Sequence, residues 1–189
     1  MVKVAIFHEG KSIDKSFFEL LLDELELDKN KVRFYGMGNK SNFFKIENTN
    51  YEDLLLEIDD TTIDKVLFIL DSDYEKNDIV YDGYENTLRE INSIREKLKI
   101  ENKSDVFIAY DFNSIKKEGY LESLILSSIP KEQKECIKTF LDCSNFKAKN
   151  HHKSILNEIY KKAYPDTSYN FPDPYFTELK QKLQNLFNS

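Results

Sequence analysis

Five apolar residues in a row, Val66-Leu67-Phe68-Ile69-Leu70, lie between Lys65 and Asp71. The run is short, rich in β-branched and aromatic side chains, and shows no polar alternation. That pattern reads as a strand (Lys65 to Leu70) covered on both faces, which is the situation of strands in parallel sheets. Three further runs, Val2 to Phe7, Val32 to Tyr35 and Asp105 to Tyr110, also read as strands. Between them lie stretches of helical period: Asp14 to Leu27 with Phe17, Phe18, Leu21, Leu22 and Leu25 on its apolar side, then Tyr51 to Ile58, then Gly83 to Leu98. Alternation of strand and helix predicts an α/β fold built on a mostly parallel sheet with right-handed crossovers.

After about Gly119 the strand signals stop. Leu121 to Ile129, Lys131 to Leu141, His151 to Ala163 and Pro174 to Phe187 read as helices, punctuated by Pro130, Asn145 and the Pro165–Pro174 segment. The expected picture is an α/β body with a helical C-terminal part packed against it. A hydrophobic fraction of 40% over 189 residues is enough for a packed core, and five Gly with four Pro exclude fibrous or linker-rich architectures. No apolar run approaches the roughly 18 residues that would span a bilayer. The apolar N-terminal run meets His8 and Glu9 too soon to read as a secretory signal. Cys136 and Cys143 are too few for a disulfide framework or a four-ligand zinc site, which suits a reducing cytoplasm, and they are expected to be half-buried packing residues.

Charge is unevenly shared. Residues 131–189 carry 10 lysines against 7 carboxylates, a net +3, in a chain whose total is −7. An acidic protein is a poor candidate for coating DNA indiscriminately, whereas a local basic surface beside an acidic centre suits a metal-dependent enzyme acting on a polyanion.

In an open parallel sheet the carboxyl ends of all strands share one edge, and ligands bind in the crevice outside it. The predicted first strand delivers Glu9-Gly10 to that edge, the third Asp71-Ser72-Asp73, and the fourth Asp111. In extended chain Asp71 and Asp73 point to one side while Ser72 turns away. Gathered carboxylates repel unless protons or cations intervene, and hard oxygen ligands suit Mg²⁺ or Mn²⁺. Any one of these acids taken alone also suits a helix cap or an Asx turn; Asp14 reads as such a cap, and Asp78 and Asp82 read as turn residues.

Ile6-Phe7-His8-Glu9-Gly10-Lys11-Ser12-Ile13-Asp14 resembles the first motif of Toprim domains, a hydrophobic strand ending in Glu-Gly with an Asp a few residues on. Leu67-Phe68-Ile69-Leu70-Asp71-Ser72-Asp73 resembles their second, a strand ending in Asp-x-Asp. Gly38-Asn39-Lys40-Ser41-Asn42 resembles the Gly-Gly-Lys-Ser segment after strand two of the OLD-type (overcoming lysogenization defect) nucleases. The whole chain resembles small stand-alone bacterial Toprim-like proteins. The resemblance implies a Rossmann-like Toprim domain over residues 1–125, with residues 126–189 as a helical extension packed on it. It also implies roles: Glu9 as general acid/base or metal ligand, Asp71 and Asp73 as ligands of Mg²⁺ or Mn²⁺, and Lys40 as a stabiliser of phosphate charge. Glu122, in Gly119-Tyr120-Leu121-Glu122, is the best local match to a later glutamate of the OLD-type enzymes, as catalytic group and metal ligand. The chain departs from the pattern in having Gly38-Asn39 before the lysine and no glycine shortly after Asp73.

Among Toprim chemistries, topoisomerases need a nucleophilic tyrosine from a separate domain, for which about 60 residues beyond the Toprim-like part leave little room. Bacterial primases carry a zinc module for which this sequence has neither the cysteines nor the spacing. A hydrolytic phosphodiesterase needs metal-activated water, a charge clamp and a proton-transfer group. The expectation is therefore a nuclease or related phosphotransfer enzyme acting on DNA or RNA; the alternative is a non-catalytic Toprim-like module that binds nucleic acid or a protein partner, a second copy of the chain included. Lys11, Lys147, Lys149, Lys153, Lys161 and Lys162 are the candidate phosphate contacts, interleaved C-terminally with Phe146, Tyr160 and Tyr164 as stacking platforms or as the buried side of a solvated helix. His151 and His152 would point about 100° apart on a helix and so would not share an ion. Gly10-Lys11-Ser12 is not the tail of a Walker loop, because the required earlier glycine would fall at Ala5 within a strand. No Gly-x-Gly-x-x-Gly follows the first strand, and a phosphoacceptor receiver would want an acidic pair where this chain has His8-Glu9.

Overall fold

The apolar runs become four strands: β1 (Val4–His8), β2 (Val32–Gly36), β3 (Lys65–Asp71) and β4 (Ser104–Ala109). The computed structural model describes residues 3–10, 13–143 and 169–188. The strands pair in the order β2-β1-β3-β4, every pair parallel, and the helices α1 (Ile13–Glu24), α2 (Thr49–Asp59), α3 (Tyr84–Leu98), α4 (Leu121–Ser127), α5 (Lys131–Cys143) and α6 (Thr177–Phe187) accompany them. The chain is α/β, with a parallel sheet flanked by helices.

The period of two along a strand divides the central run between the two faces of the sheet. Leu67 and Ile69 join Val4, Ile6, Phe107 and Ala109 on one face, under Phe17, Phe18, Leu21 and Leu22 of α1. Val66, Phe68 and Leu70 join Ala5, Phe7, Val106 and Ile108 on the other, under Tyr51 and Leu54 of α2 and Ile91, Ile94 and Leu98 of α3. Both faces are thus covered, and this is why the run carries no polar residue. The first core also takes in Leu121, Leu124 and Ile125 of α4 and the stripe Leu179, Leu183 and Leu186 of α6, spaced one helical turn apart. The described residues beyond position 126 therefore share a core with β1 and β3. Among the described residues no helix is long and apolar enough to cross a membrane.

The elements fall close to their expected bounds, and the departures have local causes. Asp14 lies inside the first turn of α1, which begins at Ile13, and so is not its N-cap. The expected helix from Pro174 opens with a 3-10 turn, Pro174–Phe176, because Asp173 accepts the Tyr175 N–H before α6 starts. Cys136 and Cys143 are exposed rather than half-buried. Ile137 of α5 packs on the core, and at about 100° per residue both thiols lie well round the helix from it. The expected helix His151–Ala163 lies outside the described residues.

Between β1 and β3 the order of the sheet reverses: the chain steps outward from β1 to β2, then returns past β1 to β3 and β4. That reversal opens a crevice beyond the carboxyl ends of β1 and β3, where open parallel sheets bind ligands.

Candidate functional site

Register delivers the first pair of acids. His8 at the end of β1 lies opposite Ile69, so Glu9 emerges beside the last two residues of β3. Its Oε1 accepts the backbone N–H of Asp71 at 3.1 Å, across 62 positions of sequence. The buried Asp71 carboxylate turns to the next element, and its Oδ1 accepts the Leu121 N–H at 2.8 Å. Leu121 is the first residue of α4, so this bond also brings the half-buried Glu122 to the same rim.

Asp73 takes a different direction from the one alternation predicts. β3 ends at Asp71, and Asp73 has φ +60°, in the left-handed region, so the extended geometry does not continue through the Asp-x-Asp segment. Its backbone instead forms a two-bond antiparallel bridge with Gly119: Asp73 N–H to Gly119 O at 2.8 Å and Gly119 N–H to Asp73 O at 3.2 Å. Ser72 does turn away, donating its hydroxyl to Lys117 O at 2.6 Å.

Lys40 meets Asp73. It opens the 3-10 turn Lys40–Phe44 after β2, with Asn39 capping the turn through the Asn42 N–H. Although a lysine, it is only 7% exposed. Its Nζ donates to Ser72 O at 2.8 Å and to Asp82 Oδ1 at 3.3 Å, and lies 3.5 Å from Asp73 Oδ2. Asp82 closes a turn as expected, its N–H donating to Asp78 O at 3.0 Å, but its carboxylate is also buried and paired with Lys40, two residues before α3. Its neighbour Gly83 donates its N–H to Ser72 O, so the loop leaving β3 closes back on its own start. The available signal was position: a residue just before the helix that follows β3 can return to the carboxyl edge of the sheet. Asp78 behaves as expected, its Oδ1 accepting the Val80 and Tyr81 N–H groups in an Asx turn.

Asp111, beyond β4, belongs to a second cluster. Its Oδ1 receives Lys134 Nζ from α5 at 3.0 Å, the Ser127 hydroxyl at 3.2 Å and both the backbone and side-chain N–H of Asn113 at 2.9 Å. Burial would raise the Asp111 pKa, but the hydrogen bonds from Asn113 and Lys134 outweigh it and hold the carboxyl below its ordinary value. Behind Glu9, the buried His8 ring has its pKa lowered to about 4; desolvation dominates, opposed by a hydrogen bond with the Gly10 backbone and aided by the Lys15 charge. His8 is accordingly neutral at pH 7.

Glu9 and Asp71 therefore converge, Glu122 stands next to the amide that holds Asp71, and Asp73 and Lys40 pair with each other. Among the described residues, no three or more His, Cys, Asp or Glu side chains form a ready-made ligand set. In donor chemistry the residues fit a hard divalent cation: carboxylate oxygens, two of them oriented by backbone amides, sit at the reversal point of the sheet. Lys11, Lys147, Lys149, Lys153, Lys161 and Lys162 lie outside the described residues, as do His151 and His152. Comparison of the chain with protein-family models, with curated proteins and with solved structures finds no match in any of the three.

Proposed function

We propose that the chain is a Mg²⁺- or Mn²⁺-dependent phosphodiesterase of Toprim type that cleaves nucleic acid, DNA or RNA, in the cytoplasm. The observation that carries the reading is the Glu9 carboxylate resting on the Asp71 amide in the crevice between β1 and β3. Glu9, Asp71 and Asp73, with Glu122 beside them, would hold the ion. When bound, such an ion polarises a phosphoryl oxygen and lowers the pKa of a coordinated water. Glu9 is the group nearest the β1 end of the crevice and serves as the proton-transfer residue. Lys40 contributes positive charge for a phosphate oxygen, and the C-terminal lysines with Lys11 track the backbone of the strand. Free Cys136 and Cys143 are in keeping with a reducing compartment.

The test is cleavage of a panel of single- and double-stranded DNA and RNA with added Mn²⁺ or Mg²⁺. Wild type is expected to cut at least one class, and Glu9→Gln and Asp71→Asn are expected to lower the rate by about 10²–10⁴-fold. Absence of metal-dependent cleavage across the panel would falsify the enzymatic reading.

One observation favours a second reading, a non-catalytic module for nucleic acid or a protein partner: Asp73 and Asp82 already have a cation in Lys40. On that reading Glu9→Gln leaves nucleic-acid binding intact, while joint replacement of Lys147, Lys149 and Lys153 weakens it in a salt-dependent way.

A further inference from the structure

A buried ammonium persists only where its charge and its three N–H donors are answered. Lys40 meets this condition with three oxygens from one loop: Ser72 O at 2.8 Å, Asp82 Oδ1 at 3.3 Å and Asp73 Oδ2 at 3.5 Å. The contacts are unequal. The carbonyl and Asp82 hold the ammonium most closely, and Asp73 is the longest reach. Asp73 is also the member of the trio that follows Asp71 in the chain, two residues from the amide that Glu9 engages. Four carboxylates, those of Glu9, Asp71, Asp73 and Asp82, thus surround the end of β3, and the ammonium of Lys40 supplies one positive charge among them.

We propose that Lys40 is the resident counter-ion of this centre and that a divalent cation and the Lys40 ammonium compete for Asp73. The proposal rests on the reading of the rim as a divalent-cation centre and adds its regulation. Two cations drawn to one buried carboxylate repel each other strongly, because the local dielectric is low. Cation uptake at Asp73 therefore loosens the longest Lys40 contact while Asp82 and Ser72 O keep the side chain in place. The N–H released from Asp73 becomes available to a phosphate oxygen, so the lysine's grip on an anion depends on the cation being present. Asp82 acquires a role: it is the positioning residue that retains Lys40 when Asp73 is given up.

Calorimetric titration of Mn²⁺ into wild type and Lys40→Met tests the competition. Lys40→Met is expected to bind Mn²⁺ about tenfold more tightly or better; equal or weaker binding overturns the proposal. A second measurement needs no variant: acetylation of wild-type lysines by an amine-reactive reagent, read by mass spectrometry with and without Mn²⁺. Lys40 is expected to be protected without the metal and to be modified at least severalfold faster with it, and unchanged labelling of Lys40 overturns the proposal even if Lys40→Met does not fold. Mn²⁺ uptake by wild type with no gain in Lys40→Met and no change in labelling removes the role of Lys40 and leaves the cation centre standing. Failure of both wild type and folded Lys40→Met to take up Mn²⁺ removes both.

Discussion

Two lysine–aspartate clusters sit on the same edge of the sheet, and they differ chiefly in their access to water. In the first, the side chains of Lys40, Asp73 and Asp82 are 8%, 6% and 6% exposed, and they join the turn after β2 to the loop leaving β3. In the second, Lys134 and Asp111 are 23% and 29% exposed and join α5 to the end of β4. Coulomb attraction is similar in kind in both; the alternative open to each group is not. Lys134 and Asp111 can exchange partners for solvent at little cost. Lys40 is removed from water on every side, so the loss of a partner leaves an uncompensated charge in the protein. A pair of the second sort fastens a helix, whereas the first sort dictates which loop conformations can exist at all. Gly119 connects them: it pairs with the backbone of Asp73, and the adjacent Glu118 O accepts the Asp111 N–H.

The largest expected effect follows from burial. Lys40→Met is expected to cost about 3–5 kcal/mol of stability in urea denaturation, because Asp73 and Asp82 lose their shared cation. That is a large part of the 5–15 kcal/mol available to a typical domain. A loss below about 1 kcal/mol would place the buried cluster with ordinary surface pairs and undo the contrast. Next in size is Gly119→Ala. At φ +141° a side chain is strained, and a Cβ there would come within 2.6 Å of the Asp111 amide nitrogen and 3.2 Å of Ser123 Oγ. Backbone at that position has no room to yield without disturbing both clusters, so a cost of about 1–3 kcal/mol is expected, read as a lowered thermal midpoint.

The architecture was legible in the sequence because burial on two faces leaves a pattern in the chain itself. The run Val66–Leu70 is apolar throughout, and α1 and α3 repeat at helical period, so strand, helix and parallel pairing follow from local chemistry. The same topology placed Glu9 and Asp71 at one edge, and their backbone contact is the result. What it did not carry was side-chain direction beyond the last paired residue. Asp73 reads as the companion of Asp71 only if extended geometry continues, and its φ of +60° ends that. Asp78 and Asp82 look alike in a polar stretch between β3 and α3, yet one closes a local turn and the other meets a lysine 42 positions away. No periodicity encodes such a meeting. The exposed thiols of α5 have a similar origin: spacing gives their separation around the helix, but the packing of Ile137 decides which way the helix is turned.

Acid separates the Asp111 cluster from the interior of the sheet with the smallest perturbation. His8, behind Glu9, is held neutral with a pKa of about 4 against an ordinary 6.5, so the unfolded chain binds its proton first and stability falls as the pH drops from about 6.5 toward 4. Asp111 is held ionised below its ordinary 3.8. Its contribution is complete at neutral pH and is lost only as the pH falls through that value and beyond. The two losses are therefore consecutive, first from the interior beside β1 and later from the partly hydrated end of β4. Lys134→Met removes one of the donors that depress the Asp111 pKa and is expected to cost less than about 1 kcal/mol at neutral pH. In urea titrations from about pH 7 to about pH 3 the variant should follow wild type through the His8 range and then decline less steeply below it. A variant curve that instead departed from wild type in the upper range and ran parallel below it would mean that Lys134 communicates with the interior of the sheet around His8, and the two would have to be treated as one unit.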